Sequence, residues 1–319
     1  MAEDANLEAL VAALAPPPGH SRPAPDYDPI PGGLVFQITE PLAGPRDAAH
    51  RERLASASLR SIAHAPSAED TDALIPARLV SAGGTVGGAV TEAVADQAAH
   101  PVSAVGRVTA FFNGRVRYCT GSVVAERVVL TAAHCVYTRS TSVFSEPRFA
   151  DWIRFEPQYK ADENAGSWAA ESAYIHKGWA DPVHASPGTF DYAFIRLDAP
   201  ILSVTGSVSL LANTQPEGPF TSLGYPRQPS GDFKFDGRFL FATTGERVYE
   251  NGSLLVKAEN GLTEGSSGGP WFTSEAGQLT VGGLNSTKPI NNDRYTWSPP
   301  FNEGFLDLLA RVLADMTGV

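Results

Sequence analysis

Residues 101–319 predict an all-β fold, an antiparallel sandwich or barrel closed by a single helix. Short runs rich in β-branched residues recur there between turn signals. Asn113-Gly114 stands between two such runs, the strongest local mark of a hairpin. Near the end, Phe305, Leu308, Leu309, Val312, Leu313 and Met316 fall on one helical face.

In chain order, the first hundred residues come as an extension of different character. They hold 13 acidic against 6 basic residues, two aromatics (Tyr27 and Phe36), and no cysteine or tryptophan. The stretch APPPGHSRPAPDYDPIPGG, residues 15–33, has too many prolines for a helix or a central strand. Residues 1–100 are therefore expected to be largely irregular, with short helices at Leu7–Leu14 and Arg51–Ile62. The folded part is expected from residue 101 onward, with strands at 105–112, 115–119, 121–124, 128–131, 152–156, 192–197, 220–224, 238–242, 253–258, 270–273 and 279–284. The helix is expected over 305–317, with Gly318 as its stop.

The net charge of −11 argues against nucleic acid and anionic membrane as partners. No run approaches the roughly 20 apolar residues that a membrane-spanning helix needs. The opening MAEDANLEALVAALA is acidic where a secretion signal would be basic, so no ordinary signal is visible. The two cysteines, Cys119 and Cys135, bracket two strand-like runs with a turn at Ala125–Arg127, which would bring them together. A disulfide there would stabilise by roughly 3 kcal/mol and favour an oxidising, extracytoplasmic compartment; two free buried thiols are the alternative.

The chemistry concentrates in three places. In GLTEGSSGGPW (261–271), Ser267 is flanked by glycines that let the chain bend tightly and approach a substrate. A serine hydroxyl needs a base, and an acyl-transfer transition state needs donors aimed at its oxyanion. The N–H groups of Gly265 and Ser267 are the candidates for those donors. His134, in LTAAHC, stands at the end of a strand-like run among small residues and is the candidate base. His20, His50, His64, His100, His176 and His184 have no comparable setting. Asp191 precedes an apolar strand, where a carboxylate would be buried and aimed at the imidazole. Asp181 and Asp198 read as surface groups. No cluster of His, Cys and carboxylates has metal-ligand spacing, so neither metal nor cofactor is expected.

CTGSVVAERVVLTAAHC, DYAFIRL and GSSGGPW, in the order His, Asp, Ser, resemble the trypsin-fold serine peptidases. HPVSAVGRVTAFF, FEPQYKADENAGSW and GYPRQPSG resemble the bacterial branch that includes the glutamyl endopeptidases. The resemblance implies two packed antiparallel β-barrels, about 101–200 and about 201–304, with the C-terminal helix and a cleft between the barrels. It also implies His134 as base, Asp191 as its orienter, Ser267 as nucleophile and a Cys119–Cys135 disulfide. Gly261, Leu262, Thr263 and Glu264 before the nucleophile, with Asn285, Ser286 and Thr287 after it, would line the substrate pocket. Gly261 stands where trypsin-type enzymes carry a pocket aspartate, and Asn285 where glutamyl endopeptidases carry histidine, so neither specificity is implied. The expected activity is that of a secreted serine endopeptidase, a monomer whose partner is a protein or peptide substrate; a catalytically inactive binding protein on the same fold and an esterase using the same triad are the alternatives. Ser266 stands where animal-type relatives use aspartate to hold a new N-terminal ammonium; it is expected to hydrogen-bond locally instead. Any latency must then come from residues 1–100 as a removable segment, cut between about Arg78 and Pro101; an uninvolved tail is the alternative.

Overall fold

The structure, a computed structural model, describes residues 33–37, 80–86, 89–112, 115–139, 147–181, 187–212, 218–230, 233–249, 256–275, 278–288 and 295–317. The helices expected at Leu7–Leu14 and Arg51–Ile62, the Asn113-Gly114 turn and Gly318 lie outside these residues. Strands β1 (Gly33–Gln37), β2 (Val80–Val86) and β3 (Ala89–Val94) fall within the stretch whose composition marks it as an extension. β4 (Val105–Phe112), β5 (Arg115–Ala125) and β6 (Val128–Thr131) follow as consecutive hairpins. Phe112 pairs with Arg115, which fixes a two-residue connection at the Asn-Gly site. A small pair, β7 (Tyr137–Thr138) and β8 (Arg148–Phe149), leads to β9 (Trp152–Pro157), β10 (Trp168–His176) and β11 (Ala193–Leu197).

These strands close on themselves. β4 pairs with β5, β5 with β6, β6 with β11, β11 with β10, β10 with β9 and β9 with β4, all antiparallel. The result is a six-stranded barrel without an open edge among those members. β9 pairs only with the start of β10, at Trp168 and Ala169, so the later part of β10 takes β1 as a further neighbour. β10 escapes sequence reading because WAAESAYIH is rich in alanine and carries a glutamate, where strands usually favour β-branched residues.

The second half holds β12 (Ser209–Leu210), β13 (Gly218–Gly224), β14 (Phe241–Tyr249), β15 (Val256–Glu259), β16 (Pro270–Glu275), β17 (Gln278–Leu284) and β18 (Tyr295–Ser298). They form one sheet in the order β12-β17-β16-β13-β14-β15-β18. The Ser286 N–H donates to the Trp297 carbonyl at 3.0 Å and the Trp297 N–H to the Thr287 carbonyl at 2.7 Å. Those bonds bring the end of β17 onto β18 and curl the sheet. β3 adds to the first part of β14, pairing Val90 to Ala93 with Thr244 to Phe241.

The sheet therefore recruits chain from before residue 101. Ala89 and Val94 are buried, and the Thr91 and Thr243 hydroxyls share a buried hydrogen bond of 2.8 Å. Further on, the Tyr225 hydroxyl donates to Gln97 Oε1 at 3.0 Å, both side chains being buried. Low hydrophobicity hides this strand in the sequence, because its partners are small polar residues and the backbone of β14.

The C-terminal helix spans Glu303–Thr317. Phe305, Leu308, Leu309, Val312 and Leu313 are buried on its inner face. Phe305 sits 5.2 Å from the rings of both Tyr192 and Phe194, so the helix docks on the first barrel beside the entry to β11. This packing holds the segment that carries Asp191.

Candidate active site

His134 lies in a one-turn helix, Ala133–Val136, directly after β6. Small alanines at 132 and 133 are fully buried and let the chain turn inward at the barrel end. Asp191 precedes β11, which pairs with β6 from Ala193–Thr131 to Arg196–Val128. That pairing alone puts the starting end of β11 beside the finishing end of β6. The two residues meet there twice. The His134 backbone N–H donates to Asp191 Oδ1 at 2.8 Å, and His134 Nδ1 bonds Oδ2 at 2.8 Å. The carboxylate is fully buried, while the imidazole keeps 26% of its surface exposed. The buried acid thus orients a ring whose other nitrogen, Nε2, has no hydrogen-bond partner among the described residues.

A third bond reaches the carboxylate. The Ser286 hydroxyl donates to Asp191 Oδ2. A buried carboxylate stays ionised only when its lone pairs are met by donors, and here three donors meet it. Ser286, expected in the pocket wall, therefore turns its side chain onto Asp191, the partner of His134.

Ser267 sits before β16 in the second half, half-exposed. Its loop is pinned to the first barrel by backbone: the Thr120 N–H donates to the Ser267 carbonyl at 2.8 Å, and the Thr120 hydroxyl to the Gly265 carbonyl at 2.9 Å. Gly268 has φ +81°, and a Cβ there would lie 2.2 Å from Thr131 Oγ1 and 2.3 Å from the Thr120 carbonyl. Only glycine fits between the Ser267 loop and the strand that leads to His134. Gly265 has φ +96°, and a Cβ there would lie 2.4 Å from the Tyr225 carbonyl. Among the described residues, the N–H groups of Gly265 and Ser267 have no acceptor, and both residues flank the same turn. Ser266 bonds locally, as expected: its hydroxyl donates to the Thr263 carbonyl at 2.6 Å.

Cys119 and Cys135 are joined in a disulfide, which ties β5 to the residue after His134. Among the described residues the two sulfurs and a His134 ring nitrogen form the one close group of metal-ligating atom types. Both sulfurs are spent in the covalent bond.

The stretch 260–264 and the segment 285–287 flank the nucleophile, but several members face inward. Asn285 is 1% exposed. Its Oδ1 accepts from Ser222 Oγ at 2.9 Å, Asn260 Nδ2 at 2.8 Å and Trp271 Nε1 at 2.7 Å, and its Nδ2 donates to the Ser266 carbonyl at 3.1 Å. It is the hub of a buried network behind the Ser266-Ser267 turn, and its amide is committed inside the protein rather than to a substrate side chain. Leu262 is buried, and Thr263 exchanges two bonds with the Gln228 backbone. Gly261 is buried, while Glu264 and Thr287 are exposed.

Three neighbours have no signal in the sequence. Arg117, on β5, donates to the His134 carbonyl and lies 4.5 Å over the Phe112 ring. Burial pulls its guanidinium below the ordinary value, against the opposing attraction of Asp191. Trp179 lies 6.4 Å from the His134 ring. Tyr225 backs the Gly265 turn, and burial pushes its phenol well above the ordinary value. Each acts across tertiary distance, so no local motif marks it. His176 is buried, stacks on Phe190 at 4.2 Å and accepts the Gly178 N–H at 3.0 Å, which is a structural role.

The sequence model of the trypsin-like peptidase domain matches residues 119–282, a stretch that holds His134, Asp191 and Ser267. The chain belongs to the trypsin-like peptidase family. The peptidase is a serine endopeptidase by fold and family. It resembles the protease Anisep from Arthrobacter nicotinovorans, with 22% identity and a TM-score of 0.58 over 68% of this chain and 98% of that one. A thermostable serine protease, AL20, from an extremophilic microorganism is 25% identical, with a TM-score of 0.57 over 66% and 97%. A Glu endopeptidase in complex with MPD is 19% identical, with a TM-score of 0.57 over 70% and 96%. No curated protein sequence matches the peptidase. No helix among the described residues is long and apolar enough to cross a membrane.

Proposed function

We propose that the protein cleaves peptide bonds through an acyl-enzyme, with Ser267 as nucleophile, His134 as base and Asp191 as its orienter. The observation that carries this reading is the pair of hydrogen bonds between His134 and Asp191, with Nδ1 committed and Nε2 left for the serine. Ser267 Oγ passes its proton to Nε2 as it attacks the scissile carbonyl carbon. The carbonyl electron pair moves onto oxygen, where the N–H groups of Gly265 and Ser267 receive the charge. The C–N bond then breaks as Nε2 returns the proton to the leaving amine. Water repeats the sequence on the ester: it gives a proton to Nε2, attacks the acyl carbon, and expels Ser267 with that proton. Asp191 holds the ring's orientation throughout and stabilises the imidazolium.

The disulfide and the family support an extracytoplasmic site of action. Residues 1–79 fit a removable segment whose loss would strip β1 from the outer part of β10 but leave the six-stranded barrel closed. The peptidase unit begins no later than β3, because Thr91, Val94 and Gln97 bond into the second sheet and the loop behind Gly265. No metal or cofactor is required by this chemistry. Hydrolysis of a mixed peptide library by the wild type, abolished in Ser267→Ala, is the expected result. Hydrolysis of simple esters but of no peptide would replace this reading with an esterase; neither activity in any processed form would leave a binding protein built on a peptidase fold.

A further inference from the structure

Arg227 lies next to the oxyanion turn and is not used by the mechanism above. Its N–H donates to the Glu264 carbonyl at 2.6 Å. Its stem runs against Gly265, where a Cβ would come within 2.8 Å of its Cγ. The side chain is exposed, and its guanidinium carbon stands 4.4 Å over the ring of Tyr118. A cation held over a ring face is steadied without spending its N–H donors.

The other charges nearby leave Arg227 distinct. Arg107 also faces Tyr118, at 5.2 Å, but it is ion-paired with Glu156 at 2.9 Å and lies 3.4 Å over Tyr159. Arg117 is turned onto the His134 carbonyl. Glu264 is exposed on the adjoining turn, yet among the described residues Arg227 has no ion-pair partner.

Its side of the site follows from what flanks the base. On one side of His134 stand Asp191 and Ser286, continuous with the end of β17 at Thr287, where an extended acyl chain would lie. The disulfide sulfurs lie within 4.8 Å of a His134 ring nitrogen, and Cys119 follows Tyr118 directly. An acyl chain laid along Thr287 would leave Tyr118 and Arg227 to the leaving amine.

We propose that Arg227, braced on Tyr118 beside Gly265, is a specificity residue for the leaving-group side of the substrate and selects an acidic side chain in the first residues after the scissile bond. This rests on the peptidase reading above. An exposed pair of this kind is modest, and replacing an acidic by a basic side chain turns attraction into repulsion, so the expected preference is about tenfold. The chain as a whole carries a charge of −11, which works against acidic substrates at long range, so the preference must be local.

The test uses quenched fluorescent peptides identical up to the scissile bond and carrying Glu, Gln or Lys at the first or second residue beyond it. The wild type should cleave the Glu peptide with about tenfold higher kcat/KM than the Lys peptide at low salt, shrinking several-fold at roughly 0.5 M salt. In Arg227→Gln the ratio should fall to about one, and in Arg227→Glu it should reverse. A wild-type ratio of one, or a ratio unchanged in Arg227→Gln, overturns the proposal. Should the variants not fold, a wild-type preference insensitive to salt overturns it equally. Cleavage of no peptide at all would strike the peptidase reading itself, and the proposal with it.

Discussion

The backbone N–H of Thr120 and the carbonyl of Ser267 are 2.8 Å apart, and through that bond the nucleophile loop of one sheet hangs on the first barrel. Thr120 follows Cys119, whose disulfide partner Cys135 follows His134. His134 and Ser267 thus share one anchor. Replacing both cysteines by serine should lower the unfolding free energy by about 3 kcal/mol and reduce kcat together with it. Thermal melts and steady-state rates on the same sample check this; a stability loss with unchanged kcat would separate the anchor from the chemistry.

Asn285 should behave as a structural hub. In Asn285→Leu, the Ser222 hydroxyl, the Asn260 amide and the Trp271 N–H lose their shared acceptor in a buried place. Each orphaned donor costs about 1–3 kcal/mol, so a large fall in Tm is expected. Peptide profiling of the folded fraction should show the same preference for the residue before the scissile bond. A changed preference with an unchanged Tm would make Asn285 a pocket residue after all.

Asp191→Asn should lower kcat by about four powers of ten, because the amide favours the wrong imidazole tautomer. Ser286→Ala removes one of three donors to that carboxylate and should cost about tenfold in kcat. Circular dichroism should show both variants folded. Equal effects of the two would mean that Ser286 does more than steady Asp191.

Chains beginning at Val80 should fold and turn over, and acetylating their first amine should change nothing, since Ser266 is bonded to Thr263 and carries no charge to meet an ammonium. Chains beginning at Pro101 should fail. They lack β3, the Thr91–Thr243 bond and the Gln97–Tyr225 bond. Gln97→Leu in the longer chain should show a smaller loss of the same kind, read as a lower kcat with a lower Tm. Full activity from Pro101 onward would show that β3 is dispensable.

The hairpins of β4, β5 and β6 were legible because β-branched runs, with the Asn-Gly dipeptide between the first two, write local geometry into adjacent residues. β14 starts at Phe241, later than its apolar run, because pairing with β13 and β3 sets its extent. β10 and β3 were not legible, since alanine, glutamate and threonine form strands there only by virtue of their neighbours. The same division runs through the site. His134, Asp191 and Ser267 each sit in a short segment whose small or apolar neighbours betray the role. Arg117, Ser286 and Asn285 take theirs from partners 14 to 95 positions away.

The central claim is that His134 activates Ser267. Intact mass and peptide mapping after exposure to a fluorophosphonate test it most directly, because that reagent captures only a serine whose proton is being taken. One adduct per chain is expected, on Ser267, formed rapidly in the wild type and lost in His134→Ala. An adduct on another residue, or labelling of Ser267 at the same rate in His134→Ala, would overturn the account.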